Sequence, residues 1–534
     1  MDIEEPVTAV SERTYHDRTF YQRFEESALL YPDRPALEIR DEVLTYAQLR
    51  RLALTLAVRI VEKHGAPPRR VALVGSRSVA TYAGYLAIQR LGAGVLPLNP
   101  DHPEERNLDI AQRAGAETAV VVPRAAGLFL ALPERHRPTL LELDEAERAT
   151  AEPSDGLLPP LPTDLDREAY LLFTSGSTGQ PKGVPIKQRH FSPFLQHNIP
   201  RYEIGPGSRL SQVFGLTFDA HAYDLFATWG GGGTLVVPTA DELYRPVDFI
   251  VERKLTHWFS VPSVVREAQR LGNLPLGRAV TLRHSIFGAE PVTLQHARLW
   301  REVAPHTQIH NVYGPTELAL CVTDHRLTGD GSHWPEPRGG TVPIGTMYPR
   351  MEGVLLDQDG RTADEGELCV RGPQRFDGYL DPRENTGRFV AYERGGTAVA
   401  YDGSGPLTDR HWYRTGDRVR WEGDVMVHCG RLDQQVKLRG HRVEIGEVEA
   451  VIHRHPDIVD TAVVAVSRDG ETELAAGYAG REIPAAEFDA WLRERLPLHM
   501  VPTRIVRLDR LPLNDNGKTD RRELARILDT GEGT

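Results

Sequence analysis

Cysteine is scarce: Cys321, Cys369 and Cys429 are the three in a chain of 534 residues. They lie far apart, without the short spacings of a zinc site, and cannot build a disulfide framework. A reducing cytoplasm is the compartment this usage leads one to expect. Long apolar runs are missing as well. The longest, around residues 125–132, falls far short of the ~20 residues that span a bilayer, so no membrane role is expected. The N-terminus, Met1-Asp2-Ile3-Glu4-Glu5, has neither the basic nor the apolar region of a secretory signal. Basic charge is in deficit: 63 Lys+Arg against 75 Asp+Glu give a net −12, which argues against a general nucleic-acid binder. With 40% hydrophobic and 26% charged residues, the chain is neither disordered nor a coiled coil. No internal repeat is present.

What remains is a globular protein long enough for three or four units at roughly 150 residues each. Residues 46–63 carry apolar side chains at helical spacing (Leu49, Leu52, Leu54, Val58, Ile60). Apolar strands are predicted at 70–74, 95–98 and 119–122, with a helix over 81–90. That alternation implies a parallel sheet with right-handed crossovers. Residues 133–166, rich in Pro, Glu and Asp, are expected to be an exposed connector. A second α/β block runs from 170 to about 345. Short strand-like segments at 354–356, 367–370 and 424–428 then suggest a β-rich region. From residue 434 a small α+β unit is predicted, with helices at 446–453 and 485–495 and strands at 461–466 and 473–479. The expected fold is α/β: a large N-terminal core over 1–432, made of two α/β subdomains and a β-rich one, and a small mobile domain over 433–534.

The densest signal is Leu171-Leu172-Phe173-Thr174-Ser175-Gly176-Ser177-Thr178-Gly179-Gln180-Pro181-Lys182-Gly183. An apolar strand opens into hydroxyls, glycines and one lysine. Glycine lets backbone N–H groups face an anion, hydroxyls add donors, and Lys182 adds positive charge. The composition suits a polyphosphate, although Ser/Gly/Thr runs are also common surface linkers. The nucleotide loop G-x-x-x-x-G-K-[ST] does not fit, since Lys182 follows Pro181 and precedes Gly183. Gly517-Lys518-Thr519 fails too, with Pro512 where the leading glycine belongs.

Residues 174–183 resemble the phosphate-loop motif of the adenylate-forming superfamily: acyl-CoA synthetases, luciferases and nonribosomal peptide synthetase adenylation domains. The family's other motifs follow in order. They are Leu44-Thr45-Tyr46, Asn311-Val312-Tyr313-Gly314-Pro315-Thr316-Glu317, Gly366-Glu367-Leu368-Cys369-Val370-Arg371-Gly372, Tyr413-Arg414-Thr415-Gly416-Asp417, Gly430-Arg431-Leu432-Asp433 and Asn516-Gly517-Lys518. The ordered set covers about residues 20–525.

The resemblance implies attack of a carboxylate on the α-phosphate of ATP, giving an acyl-adenylate and pyrophosphate. Two anions must meet, so cations and donors have to be in place beforehand. Thr174, Ser175, Gly176, Ser177, Thr178, Gly179 and Lys182 would hold the β- and γ-phosphates. Thr316 would donate to the α-phosphate, and Glu317 would place Mg²⁺, a cation suited to carboxylate and phosphate oxygens. A helix-capping carboxylate is the plain alternative for Glu317. Tyr313 and Gly314 would border the adenine, with Asn311 bonding its amino edge. Asp417 would accept the ribose hydroxyls, supported by Arg431. His428 stands where relatives often carry an aromatic residue. Lys518 would reach the active site during adenylation. Asp433 resembles the hinge that lets the small domain rotate, bringing Lys437 and its neighbours in when a thiol attacks the adenylate.

Phe218-Asp219-Ala220-His221-Ala222-Tyr223 opens a helix-like stretch that puts Asp219 and Tyr223 on one face. A buried carboxylate needs a partner, and an α-ammonium group is a natural one. Helix capping is the plain alternative. In relatives that activate amino acids, an aspartate here binds the substrate's amino group. The resemblance places Ala220, Tyr223, Phe259, Ile286, Gly288, Val312, Leu320 and Cys321 around the side chain, which implies a small or branched aliphatic amino acid. The implied enzyme is free-standing: it uses ATP and Mg²⁺ and loads the phosphopantetheine thiol of a separate carrier protein. An acyl-CoA ligase or a catalytically silent nucleotide-binding scaffold is the alternative.

Overall fold

The computed structural model describes residues 17–143, 155–176, 180–329, 331, 334, 340–433, 435–468, 471–513 and 519–530. Its first layer is a six-stranded sheet in the order Thr139–Glu142, Thr118–Val121, Arg70–Val74, Gly94–Leu98, Glu168–Thr174, Lys182–Lys187. Neighbours are parallel except the last pair, whose register places Thr174 opposite Lys182. The strands are apolar because helices cover both faces. The Tyr46–His64 helix opens on a Thr45–Gln48 capping box and closes on Gly65. The expected connector over 133–166 is only partly one. Thr139–Glu142 adds a parallel edge strand beside Thr118–Val121, which the surrounding prolines and acids had hidden.

A nine-stranded sheet forms the second layer, running through Gln308–Tyr313, His284–Phe287, His257–Ser260, Arg209–Ser211 and Thr234–Val237 at its centre. Those central strands are parallel, so their C-terminal ends share one edge, where open α/β sheets collect ligands. The strands Glu352–Leu356, Glu365–Arg371, Phe389–Ala391, His411–Glu422 and Val425–Arg431 make the antiparallel region expected from the turn-rich sequence. Past Asp433, a hairpin of Gln435–Leu438 and His441–Glu444 leads into a three-stranded sheet carrying the helices Ile445–Ile452, Ala485–Arg493 and Arg521–Thr530. This last part has its own core around Val443, Val448, Ile452, Val463 and Leu492. Among the described residues no helix is long and apolar enough to cross a membrane.

The hairpin sits against the larger lobe. His441 stacks on His499 at 3.8 Å between ring centroids and meets Phe218 edge-on at 5.2 Å. Arg106 pairs with the buried carboxylate of Glu447 across the same seam. Burial lowers His441 to about 4 and His499 to about 2, so both rings are neutral at physiological pH.

Candidate active site

One cleft between the lobes gathers Thr174, Ser175, Asp219, Tyr313, Gly314, Thr316, Asp417, Arg431 and Lys437 on its walls. Thr174 ends its strand, and a Cβ on Gly176 would stand 2.0 Å from the Gln180 carbonyl oxygen. Only glycine fits there. Gly314 is equally constrained, with the Leu320 carbonyl oxygen 2.4 Å from any Cβ. Ala319 and Leu320 follow at φ 53° and 89°, left-handed values that side chains rarely adopt. These two residues close the turn just after Thr316–Leu318, whose Thr316 lines the cleft. Ser177, Thr178 and Gly179 lie outside the described residues, as does Lys518.

Glu317 is fully buried and does not cap a helix. One of its oxygens accepts from the Tyr379 hydroxyl at 2.7 Å, and both accept from Arg442 Nη1 at 2.9 Å. Burial alone would raise its pKa; the Arg442 guanidinium holds it below the usual carboxylate range. Arg442 thereby spans the lobes, since it belongs to the C-terminal hairpin. A second clasp lies beside it. Ser175 Oγ donates to the Arg442 carbonyl at 2.8 Å and accepts from the Glu444 N–H at 3.0 Å. Lys182 is buried, with its ammonium over the Tyr379 ring at 5.5 Å. The buried carboxylate is a donor suited to Mg²⁺, so Glu317 fits the ion once Arg442 withdraws.

Asp417 is the most heavily bonded acid in the cleft. Its Oδ2 accepts from the Tyr313 hydroxyl at 2.6 Å; its Oδ1 accepts from His428 Nε2 at 3.0 Å and Arg431 Nη1 at 2.8 Å. Arg431 turns its other edge to Asp433, with Nε and Nη2 each 2.7 Å from a carboxylate oxygen. Both amide hydrogens of Asn311 go to the Val342 and Pro343 carbonyls, at 3.0 and 2.9 Å. Its Oδ1 is the atom left to meet an adenine amino group. Lys437 enters from the hairpin near both Asp417 and Asp219, its pKa lowered by burial.

Asp219 precedes the Ala220–Gly231 helix and makes no capping bond with its side chain. It is 8% exposed, and burial lifts its pKa to about 6 despite a bond from Thr316. Deeper in, Tyr223, Phe259, Ile286, Val312 and Cys321 surround a second cavity of only about 10 Å³, together with Phe194, Tyr202 and Tyr348. Ala220, Gly288 and Leu320 border neither space. Phe194, Tyr202 and Tyr348 come from distant segments in no motif, and nothing local in the sequence marks them. Arg442 and Ser175 carry a signal, since both sit in motif segments, but their pairing across the lobes is purely tertiary.

The AMP-binding enzyme family model matches residues 24–380, and that of the AMP-binding enzyme C-terminal domain matches residues 447–518. Phosphinothricin tripeptide synthetase PhsC of Streptomyces viridochromogenes is 34% identical over 98% of this chain, which spans only 46% of that synthetase. The crystal structure of IdnL7 is 33% identical, covering 97% of this chain and 100% of its own, with a TM-score of 0.68. Holo-PA1221, a nonribosomal peptide synthetase protein containing adenylation and peptidyl carrier (PCP) domains, is 25% identical over 96% of this chain and 84% of its own, with a TM-score of 0.77. Fold and cleft together define an AMP-forming ligase. The chain belongs to the AMP-binding enzyme family, within the adenylate-forming superfamily.

Proposed function

We propose that this ligase activates a small amino acid as its adenylate and passes it to the phosphopantetheine thiol of a carrier protein. The observation that carries this reading is Asp219. A carboxylate this buried, raised to about 6 and with no salt bridge among the described residues, only the hairpin's Lys437 nearby, is costly until a cation pairs with it directly. An α-ammonium group supplies that cation, and a fatty or aryl acid does not.

With the amino group on Asp219, the substrate carboxylate lies beside Thr316. One of its oxygens attacks the α-phosphorus of ATP and pyrophosphate leaves. Thr316 and the loop from Thr174 to Lys182 offer donors and charge to the phosphate oxygens, while Asp417 and Tyr313 hold the nucleoside. Mg²⁺ at Glu317 would neutralise phosphate charge. In the second half-reaction a thiol sulfur attacks the acyl carbon and AMP departs. The hairpin carrying Lys437 and Arg442 lies in the cleft, an arrangement suited to this later step. We place the domain border at Asp433 and assign Lys518 to the earlier step. The narrow cavity beyond Tyr223 and Phe259 favours a short side chain. Carrier transfer draws support from the adenylation–carrier pairing in PA1221.

The test is ATP–pyrophosphate exchange over a panel of amino and hydroxy acids, with Asp219→Ala alongside. Exchange with short amino acids that collapses in the variant is expected. Full amino-acid-dependent exchange in Asp219→Ala, or exchange only with acids lacking an amino group, overturns the reading.

A further inference from the structure

Asp417 presents a count that does not close. A carboxylate has about four acceptor positions. Tyr313, His428 and Arg431 already take three of them. A ribose diol needs two. One donor must leave when a nucleoside binds, and the surroundings say which. Arg431 is anchored on its far side by Asp433, at 2.7 Å through two nitrogens, and by the Thr415 carbonyl at 3.2 Å. Tyr313 is 6% exposed within its strand. The His428 side chain is 22% exposed, and among the described residues its one other bond is a long one, from the Gly430 N–H to Nδ1 at 3.3 Å.

We propose that His428 is a specificity and positioning residue of the nucleoside site: its Nε2–H occupies the Asp417 position that a ribose hydroxyl must take, so imidazole and diol compete. This rests on the nucleotide reading above and goes beyond it. The Gly430 contact makes Nδ1 the acceptor, so neutral His428 carries its proton on Nε2 and donates to Asp417. His428 is also the largest lowering influence on Asp417, ahead of Arg431, against the upward pull of burial.

The experiment titrates adenosine and 2′,3′-dideoxyadenosine into the full-length wild type, His428→Phe and His428→Leu by calorimetry. His428→Phe should bind adenosine about tenfold more tightly than the wild type, the scale of a hydrogen bond to a charged group. The dideoxy compound should show no such gain. Equal or weaker adenosine binding by His428→Phe, or the same gain with the dideoxy compound, overturns the competition. Should the Phe variant not fold, the same readings on His428→Leu decide. Absence of adenosine binding in every form overturns this proposal along with the nucleotide site, whereas absence of pyrophosphate exchange with adenosine binding intact overturns only the function.

Discussion

At the phosphate end of the cleft the contacts are charged, and they join segments far apart in the chain: Arg442 reaches Glu317 across 125 residues, and Ser175 reaches the hairpin across 267. At the substrate end, Tyr223, Phe259, Ile286 and Val312 enclose a cavity with space for little more than one water. On the function proposed above, the first region would exchange partners, Arg442 giving way to a metal ion and the hairpin to a triphosphate. The second would stay put, because packed aromatic walls yield only at the cost of strain. Chemistry and selectivity would then be separated, one end cycling between partners while the other measures the side chain.

The sharpest way to break this comparison is Arg442→Met. It leaves Glu317 buried with neutral partners, the Tyr379 and Tyr413 hydroxyls, and no cation, and removing one partner of a buried pair is typically worth about 3–5 kcal/mol. The hairpin-in arrangement should become scarce. Thiol transfer, measured by single-turnover loading of a carrier, is expected to fall by roughly 100-fold or more on that scale. Pyrophosphate exchange should change only a few-fold. Equal losses in both half-reactions would mean the pair supports the whole fold and no particular state.

The next effect is a pH profile. Burial puts Asp219 at about 6 before substrate binds, even with the Lys437 ammonium nearby. Above that value it is ionised and can pair; below it a proton competes with the substrate. The KM for the amino acid should rise about tenfold per pH unit below about 6, as a single titration requires. Stability runs the other way. A carboxyl raised on folding favours the native state at low pH, and that contribution is lost as pH rises through about 6. Bound amino acid should thus raise the melting temperature more at pH 7.5 than at pH 5. A flat KM profile would remove Asp219 from the ammonium site.

A smaller change is expected at the rigid end. Phe259→Ala should open the cavity and shift preference toward longer aliphatic side chains by roughly tenfold, the scale of a methylene or two in an apolar pocket. The exchange panel reads this directly. Unchanged preference, with stability lowered as for any Phe→Ala in a core, would make Phe259 a packing residue alone.

These two ends also differ in how much of them the sequence disclosed. Thr174, Thr316, Asp417 and Asp219 stood in motifs, and the structure gathers them on one cleft. The strands at 70–74 and 95–98 were readable because burial on both faces leaves an unbroken apolar run. The edge strand Thr139–Glu142 was not, since four residues among prolines and acids carry no period. Phe194, Tyr202 and Tyr348 were invisible for a different reason. Each is an ordinary core aromatic by itself, and only packing turns it into a cavity wall. The Asp433–Arg431–Asp417 chain lies between these cases: every member stood in a motif, but the bonds joining them are tertiary.

The smallest expected effect bears on what those walls are for. Among the described residues the hydroxyls of Tyr202, Tyr223 and Tyr348 are buried without a well-formed hydrogen bond. A buried polar group without a partner forfeits its hydration, so removing it is nearly neutral or stabilising. Tyr348→Phe should therefore hold or slightly raise the melting temperature, by no more than about 1 kcal/mol of stability, with activity intact if the substrate side chain is aliphatic. A loss of exchange in that variant with stability retained would give the hydroxyl a ligand. The side chain at the cavity's end would then carry a hydrogen-bonding group, and the aliphatic preference would give way to a small polar one. Tyr223→Phe, on the cleft side of the same cavity, separates the outcomes further. A hydroxyl used by substrate should show its effect in KM for one amino acid and not for its isosteres, whereas a packing defect would lower stability for all alike.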